Sequence, residues 1–294
     1  MENRQIIKGR DISIRNHALL FVFLYQISRF LYMNCKIITI AFLLAISVCT
    51  KSQTESKINI TDQHGMKQGH WIKKYPNDSV MYDGYFKDNH PVGEFRRYFE
   101  DKSLRSVLIY SNDGRKAFAT IYHPTGRISS KGTYVDQLRE GKWQFFSAFT
   151  EGYLISEETY SKNLRNGLSV EFYPDNSIAE KITYLNDIKQ GEWIQYYPSR
   201  IVSLKSNYLN GKIDGKFEMW YDNGKTEVSG QYKNDSKEGP WIIYKNDGTI
   251  RYKLEYMQGI PNNRQMDNDG SDLLDSLERN KGKFADPEKT GVIR

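Results

Sequence analysis

A glycine that is usually followed two residues later by an aromatic ring recurs at a nearly fixed spacing along this chain. The intervals between successive glycines are 24, 48, 26, 24, 24 and 24 residues, and the interval of 48 encloses a degenerate copy that starts at Ala117. Eight copies therefore run from Gly69 to Tyr256. A fixed period of this length predicts a repeat architecture in which each copy is one supersecondary unit. The repeated glycine and ring positions include Gly69, Trp71, Gly93, Phe95, Gly141, Trp143, Gly191, Trp193, Gly215, Phe217, Gly239 and Trp241.

Each copy carries turn residues in its middle. If the repeat glycine is position zero, the residues at plus eight and plus nine are Asn223-Gly224 and Asp247-Gly248 in two of the copies. These dipeptides are typical of type I′ turns, in which both central residues have positive φ, and they lie between apolar segments. Each copy is therefore predicted to form one β-hairpin with a two-residue loop.

A two-residue loop at these positions pairs residues whose offsets add to seventeen. The ring at plus two then lies opposite plus fifteen, which is Gly84 in the first copy and Gly230 in another. We expect Trp71 to cover Gly84 and Phe217 to cover Gly230, since a neighbouring ring can restore the burial that a strand glycine loses. The same arithmetic places the ring at plus seventeen over the glycine at position zero.

Three copies depart from the pattern. The copy from Gly141 has two extra residues in its turn region, around Phe149 to Gly152, which we expect to lengthen one loop without moving the strands. In the copy from Gly167 the ring shrinks to Ser169 while its expected partner grows to Ile182, which conserves volume. The copy from Ala117 has lost both its glycine and its ring, which is replaced by Ala119. This third copy is where we expect a bend or a weak seam.

Taken together, the repeats predict an all-β fold. The expected architecture is an extended single-layer antiparallel sheet of about eight 24-residue β-hairpin repeats over residues 62–261, with an N-terminal leader and a short C-terminal helix. The composition agrees, because 38% hydrophobic and 14% aromatic residues suit a half-exposed sheet better than a large closed core.

The motif also resembles that of a known family. The pattern Gly-x-Trp-x-x-Tyr-Tyr-Pro at 191–198, with a later Gly-x-Tyr in other copies, resembles MORN repeats. The 24-residue form is similar to the variant found in bacterial proteins named YwqK-family antitoxins. This resemblance covers roughly Asp62 to Pro261. It implies a sheet of successive hairpins whose function is to bind a partner and not to catalyse a reaction. We do not extend the antitoxin role to an exported chain.

The N-terminal residues 1–49 are interpreted as a leader. Residues 33–49 combine a short basic start with an apolar run of about a dozen residues, which is typical of a secretory signal peptide. Residues 1–32 are interpreted as an extension from an early start codon, with a signal anchor as the alternative. Cys49 stands where a lipoprotein cysteine would be, although Val48 before it is a poor fit. Residues 50–61 are predicted to be a linker.

After Pro261 the repeat pattern stops. Residues 262–294 are predicted to be a polar tail with a short amphipathic helix at 271–280, capped by Ser271. We expect this helix to cover the open edge of the last hairpin, since an uncapped repeat array exposes an unpaired strand.

The net charge does not indicate nucleic-acid binding. The formal charge is +6, but six of the 42 basic and two of the 36 acidic residues precede Cys49, so a net charge of only about +2 remains downstream. Phosphate-binding motifs are absent from the sequence. His64 and His70 could suggest a metal pair, but His70 fills a repeat slot that polar residues take elsewhere, and a site needs three or four ligands. We therefore expect no cofactor, no metal and no enzymatic activity.

The expected function is that of an exported scaffold that binds an unidentified protein in the bacterial cell envelope or outside the cell. Strand alternation places the rings at plus two on one face and a second set, at plus five, on the other. Because the second set has no glycine partner, it is the candidate partner-binding stripe. The alternative is a module that stacks the rings on envelope glycans or on choline-like groups. The residues of the stripe are Tyr196, Trp220 and Tyr244.

Overall fold

The computed structural model describes residues 57–262 and 268–281. The leader with Cys49, most of the linker and the end of the tail lie outside these residues. The described part contains one antiparallel sheet and, C-terminal to it, one helix, α1 (Asn268–Lys281). The strands are β1 (Ile60–Thr61), β2 (Lys67–Lys74), β3 (Val80–Lys87), β4 (His90–Tyr98), β5 (Leu104–Tyr110), β6 (Lys116–Tyr122), β7 (Ile128–Val135), β8 (Leu138–Phe146), β9 (Leu154–Ser161), β10 (Leu164–Phe172), β11 (Ile178–Leu185), β12 (Ile188–Tyr196), β13 (Val202–Leu209), β14 (Lys212–Ile213), β15 (Gly215–Trp220), β16 (Thr226–Lys233), β17 (Ser236–Tyr244), β18 (Ile250–Met257) and β19 (Ile260–Pro261).

The 19 strands form an open meander in which strands that follow each other in sequence pair with each other. The short strand β14 is the one local variation, because β13 pairs with both β14 and β15. The all-β fold class predicted from the repeats is therefore confirmed. Among the described residues, no helix is both long enough and apolar enough to cross a bilayer.

The register inside each hairpin is also confirmed. Gly69 lies opposite Phe86, and Trp71 lies opposite Gly84. The same offsets recur near the C-terminus, where Phe217 lies opposite Gly230. In the hairpin with the two-residue insertion, Gly141 still meets Tyr160, so the extra residues lengthen the loop without moving the strands.

The predicted type I′ loop inside the repeat is wrong. In the first hairpin the amide of Asp78 donates to the carbonyl of Tyr75, and Asp78 alone takes a positive φ of 64°. This is a three-residue loop that ends in a left-handed residue. A register shift between Lys73 and Lys74 then restores the offset sum of seventeen, so the predicted register arises by a different route.

Two consecutive residues with positive φ, as a type I′ turn requires, occur between the repeats instead. Asp88 and Asn89 have φ of 51° and 66° and connect β3 to β4. Asn234 and Asp235 play the same part between β16 and β17, with φ of 48° and 67°. Asn and Asp tolerate the left-handed region, which explains why these turns do not need glycine.

The glycine at position zero has a different role from the one expected. Gly93 has a φ of 64°, and the pairing of β3 with β4 skips from Phe95 to Val92 at this point. It therefore occupies a bulge in the left-handed conformation that favours glycine. A Cβ added at Gly93 would meet nothing within 4 Å, so the expected covering of this glycine by a ring is wrong.

The glycines at plus fifteen are covered by rings, but those rings belong to the following repeat. A Cβ at Gly84 would come within 2.2 Å of the Phe95 ring, and one at Gly230 would come equally close to Trp241. Gly132 has the same relation to Trp143. The predicted coverings by Trp71 and Phe217 are therefore wrong, because the ring leans over the strand of the preceding hairpin. The ring-over-glycine contact thus joins successive repeats rather than the two strands of one.

Helix α1 begins three residues earlier than expected, so Ser271 lies inside the helix and does not cap it. The helix also covers a face of the sheet rather than its edge. Leu274 belongs to the same buried cluster as Trp241 and Leu254. The last described strand, β19, pairs with β18 and continues the sheet beyond the helix-covered strands.

Candidate functional site

One face of the sheet carries the buried core, and we call it the ring face. It is formed by positions plus two, plus four, plus thirteen, plus fifteen and plus seventeen, which the register places on the same side. Its C-terminal part contains Phe217, Met219, Val228 and Trp241, all nearly inaccessible to solvent. Its N-terminal part contains Phe95, Trp143 and other rings in a separate cluster. A single-layer sheet can bury these residues because successive rings pack on each other, with Phe217 and Trp241 centred 5.5 Å apart.

A row of basic residues lies over this face, at position minus two. Arg165 lies 4.0 Å from the Tyr184 ring centroid, and Lys189 lies 4.9 Å from the Tyr208 centroid. Arg139 lies 4.9 Å from Trp143. Each cation is thus in cation–π contact with its own repeat. The sequence analysis missed this row, although a basic residue two places before the glycine is visible in most copies.

A second missed feature joins successive hairpins through the tyrosine at plus six. The Tyr221 hydroxyl donates to the Tyr244 carbonyl at 2.8 Å, and the Tyr197 hydroxyl donates to the Trp220 carbonyl at 2.7 Å. In the fourth copy, Ser147 takes the place of this tyrosine. There Tyr153 from the inserted loop donates to the Phe172 carbonyl at 2.8 Å and completes the series. His123 contacts the Phe146 carbonyl at 3.2 Å in the same position, which assigns it a packing role.

Helix α1 lies on the C-terminal part of the ring face. Leu274 is fully buried there, and Leu277 packs against the same cluster. The Lys237 ammonium binds the Asp275 carboxylate at 2.9 Å and the Glu278 carboxylate at 3.2 Å. The Tyr232 hydroxyl also donates to Glu278, at 2.8 Å. The helix therefore contacts the sheet through leucines and through acidic side chains that meet a ring-face cation.

The electrostatics of this helix seat follow from burial. Burial raises the pKa of Glu278, and the opposing effects of Lys237 and Tyr232 are smaller. Burial lowers the pKa of Lys237, but Glu278 and Asp275 raise it by more, so its net shift is upward. Burial and the nearby Glu278 carboxylate together raise the pKa of Tyr232 well above its usual range.

The predicted stripe lies on the opposite face from the main core. Tyr196, Trp220 and Tyr244 are all half-buried rather than fully exposed. Their backbone carbonyls accept the hydroxyl bonds of the plus-six tyrosines in the preceding copies. The Lys181 ammonium lies 5.7 Å from the Tyr196 ring. These residues thus take part in the contact between repeats as well as bordering solvent.

The third copy leaves an opening in the ring face. Ala117 and Ala119 are buried beneath a concavity of about 910 Å³ whose lining also includes Phe95, Leu108 and Tyr134. A second concavity of about 440 Å³ lies beside it and shares Phe95 with it. In the other copies the residue at plus two is a ring, except in the copy from Gly167, where Ser169 pairs with Ile182.

The bend or weak seam expected at this copy stays a prediction, but the turn that leads into the copy is altered. The pairing of β5 with β6 runs from Tyr110 opposite Ala117 to Ser106 opposite Ile121 without the bulge seen in other repeats. The connecting loop has Gly114 as its left-handed residue, packed against His90. The strand pairing itself is therefore continuous.

Over the part of the chain that the structure describes, no three His, Cys, Asp or Glu side chains converge to hold a metal ion. His70 contacts Asp83 at 2.6 Å and stacks on Tyr85 with centroids 4.9 Å apart. His64 lies within 3.2 Å of the Gln63 amide. Both histidines thus have local partners in the first hairpin and its approach.

Comparison with known families agrees with the geometry at two places. The model of the MORN repeat variant matches residues 165–186 and 213–234. Each match starts at position minus two, the site of the basic row in the first match, and ends in the turn that leads to the next repeat. No curated protein matches the chain.

Proposed function

We propose that this chain is an exported, non-enzymatic repeat scaffold that binds another protein through its sheet. The observation that carries the proposal is the seat of helix α1, where the ring face holds an amphipathic helix by Leu274 and by the ion pairs of Lys237. A surface that accepts a helix of its own chain has the chemistry to accept one from a partner. The resemblance to MORN repeats and to the YwqK-family variant supports the same class of function.

The ring face is the main candidate surface, and the stripe of Tyr196, Trp220 and Tyr244 is the second. The glycan or choline alternative has less support, since Trp143 and Trp241 are fully buried and present no free ring to a sugar or an ammonium group. The near-neutral charge downstream of the leader supports a protein partner over a nucleic acid.

Site-specific photocrosslinking tests this function. A photoreactive amino acid is placed at Arg105 on the ring face, at Tyr196 in the stripe and at Lys253 as an exposed control, and each chain is incubated with envelope extract. We expect the same protein to crosslink reproducibly at Arg105, with little product at Lys253. Retention of the chain on immobilised choline or envelope glycan, with no protein crosslinked at either candidate surface, would contradict the proposal.

Export is tested separately by N-terminal sequencing of the mature protein. The mature chain should begin between Cys49 and Thr54, because the apolar run of the leader ends there. Metabolic labelling with a lipid precursor decides whether Cys49 is acylated, and thus whether the protein is anchored or free in the periplasm or medium. Recovery of a chain that starts at Met1 would contradict export by cleavage.

A further inference from the structure

The open part of the ring face has the same construction as the part that helix α1 covers. Its lining residues Phe95, Leu108 and Tyr110 occupy positions plus two, plus fifteen and plus seventeen. In the helix seat the same positions are occupied by Trp241, Leu254 and Tyr256. The same apolar arrangement therefore occurs twice on the ring face, and α1 covers only the C-terminal one. We call the open copy, over β4 to β7, the groove.

The groove exists because the third repeat lacks its ring. Ala119 pairs with Leu108 in the preceding strand, at the place where Phe95 leans over Gly84 one repeat earlier. Ala119 is 0% exposed and lies opposite Leu108. A leucine and an alanine together fill less space on the ring face than an aromatic ring packed on its neighbours does. The concavity of about 910 Å³ is the space that remains.

The groove also carries basic residues without acidic partners. Arg97 and Arg105 line both concavities, and both are exposed. No carboxylate of the described residues lies within 4.0 Å of either guanidinium. Arg115, in the minus-two position, is by contrast held by Asp136 in two hydrogen bonds of 2.9 and 2.8 Å. Arg105 is the extra residue of a bulge, since Leu104 lies opposite Tyr98 and Ser106 opposite Arg97, and such a bulge can turn a side chain toward the groove.

The helix seat shows which occupant suits this combination. There, Leu274 fills the apolar floor while Asp275 and Glu278 meet the cation Lys237. Arg97 and Arg105 lie 5.7 and 5.6 Å from the ring centroids of Phe95 and Phe99 but have no carboxylate partner in the described part of the chain. An apolar floor beside such cations selects a segment with leucines on one side and carboxylates next to them.

We propose that the groove over β4 to β7 binds an acidic amphipathic helix of another protein, in the manner in which the C-terminal part of the ring face binds α1. This proposal rests on the proposed function and specifies its site and the chemistry of the partner. The leucines of the bound helix lie over Phe95, Leu108 and Ile121, and its carboxylates pair with Arg97 and Arg105.

The test uses the full chain and a defined probe. The probe is a fluorescent peptide of residues 268–281, held helical by a side-chain staple, and a second peptide carries Lys in place of its Asp and Glu residues. Fluorescence anisotropy measures affinity, and hydrogen exchange of the chain locates the binding site. We expect the acidic peptide to bind and to protect β4 to β7, and the basic peptide to bind about tenfold more weakly or worse.

Two variants test the residues of the groove. Arg97→Glu with Arg105→Glu should weaken binding of the acidic peptide by about tenfold or more. The matched control, Lys102→Glu with Lys116→Glu, reverses the same number of exposed charges away from the groove lining and should change affinity by less than about twofold. Leu108→Gly with Ala119→Phe copies the Gly84–Phe95 pair of the neighbouring repeat. The new ring should fill the groove, so binding should be abolished while the thermal midpoint of unfolding is retained.

The outcomes separate this proposal from the proposed function. If the acidic peptide protects β16 to β18 from hydrogen exchange instead of β4 to β7, the groove is not the binding site and the proposal is overturned. The proposed function would still be supported, because the ring face would still bind a helix. Equal weakening by the groove variant and its control would also overturn the proposal. A third outcome would overturn the proposal as well. If citrate displaces the peptide fully, and a peptide with serines in place of its leucines binds as well as the original, then the groove is a small-anion site.

Discussion

At the C-terminal end of the sheet the ring face is filled by Trp241 and then covered by helix α1, whereas over β4 to β7 it has Ala119 and an open groove. The hairpins β6–β7 and β17–β18 share their strand register. They differ at position zero, at plus two and in what lies above the ring face. The comparison shows that a hairpin can keep its backbone pairing when its repeat loses a ring, and that an accessible surface results where no larger cross-strand partner replaces that ring.

The largest expected effect comes from removing the ring that fills the ring face at its C-terminal end. Trp241→Ala removes a ring that is fully buried and that packs on Phe217, Tyr232 and Tyr256. We expect a loss of about 3–5 kcal/mol in the free energy of unfolding, measured by urea denaturation.

The matched control for this loss is Tyr244→Ala, which truncates a half-buried ring on the opposite face and should cost about 1 kcal/mol. Equal losses for the two variants would mean that the ring face is not the core of the sheet.

The strand register could be predicted from the sequence because it depends on offsets alone. Gly215 opposite Tyr232 follows from the spacing of glycines and tyrosines, whatever the turn does. The turn types could not be predicted in this way, since Asn and Asp suit both kinds of left-handed position. Nor could the sequence show that Trp241 leans over Gly230 of the preceding hairpin, because Phe217 is also a direct cross-strand neighbour of that glycine.

The candidate surface was harder to predict than the fold. A spacing of alternating residues distinguishes the faces of a strand, but it does not show which face is covered by other parts of the chain. The half-burial of Trp220 arises in a contact between repeats, and the groove arises from the loss of a ring at Ala119. The sequence marks Ala119 as irregular, and only the packing around it shows that the irregularity leaves space beside Arg97.

A smaller effect is expected from filling the space above a plus-fifteen glycine. Gly230→Val places side-chain atoms where the Trp241 ring lies and should cost about 1–3 kcal/mol, whereas Gln231→Val at the exposed neighbour should be near neutral. A double-mutant cycle by urea denaturation identifies the ring involved. Gly230→Val should couple to Trp241→Leu and not to Phe217→Leu, and the reverse result would restore a contact within one hairpin.

The hydroxyl bonds between repeats should contribute less again. Tyr221→Phe removes the donor to the Tyr244 carbonyl and should cost about 0.5–1.5 kcal/mol in thermal or urea unfolding. Phe99 occupies the same position in the second copy, so the variant reproduces a natural situation in the N-terminal region. Tyr244→Phe is the control and should have little effect. A loss for the control as large as that for Tyr221→Phe would mean that the Tyr221 hydroxyl bond makes no specific contribution to joining the repeats.

The smallest expected effect is a pH dependence confined to the helix seat. Because burial raises the pKa of Glu278 above its ordinary 4.5, the folded state binds this proton more tightly than the unfolded state does. The associated stability is present below pH 4.5 and is lost as the pH rises through the raised value. Thermal unfolding from pH 4 to 7 should show this loss in the wild-type chain and not in Glu278→Gln. An identical slope in both would assign it to another group.

Hydrogen exchange of a chain whose helix has been released tests the central claim most directly, namely that the ring face at the C-terminal end is covered by α1 while the groove is not. Leu274→Asp buries a charge beneath the helix and should undock it, with Asp272→Asn as the exposed control. We predict faster exchange in β16 to β18, while exchange in β4 to β7 stays unchanged. Unchanged exchange in β16 to β18, or equal acceleration across both regions, would contradict the account.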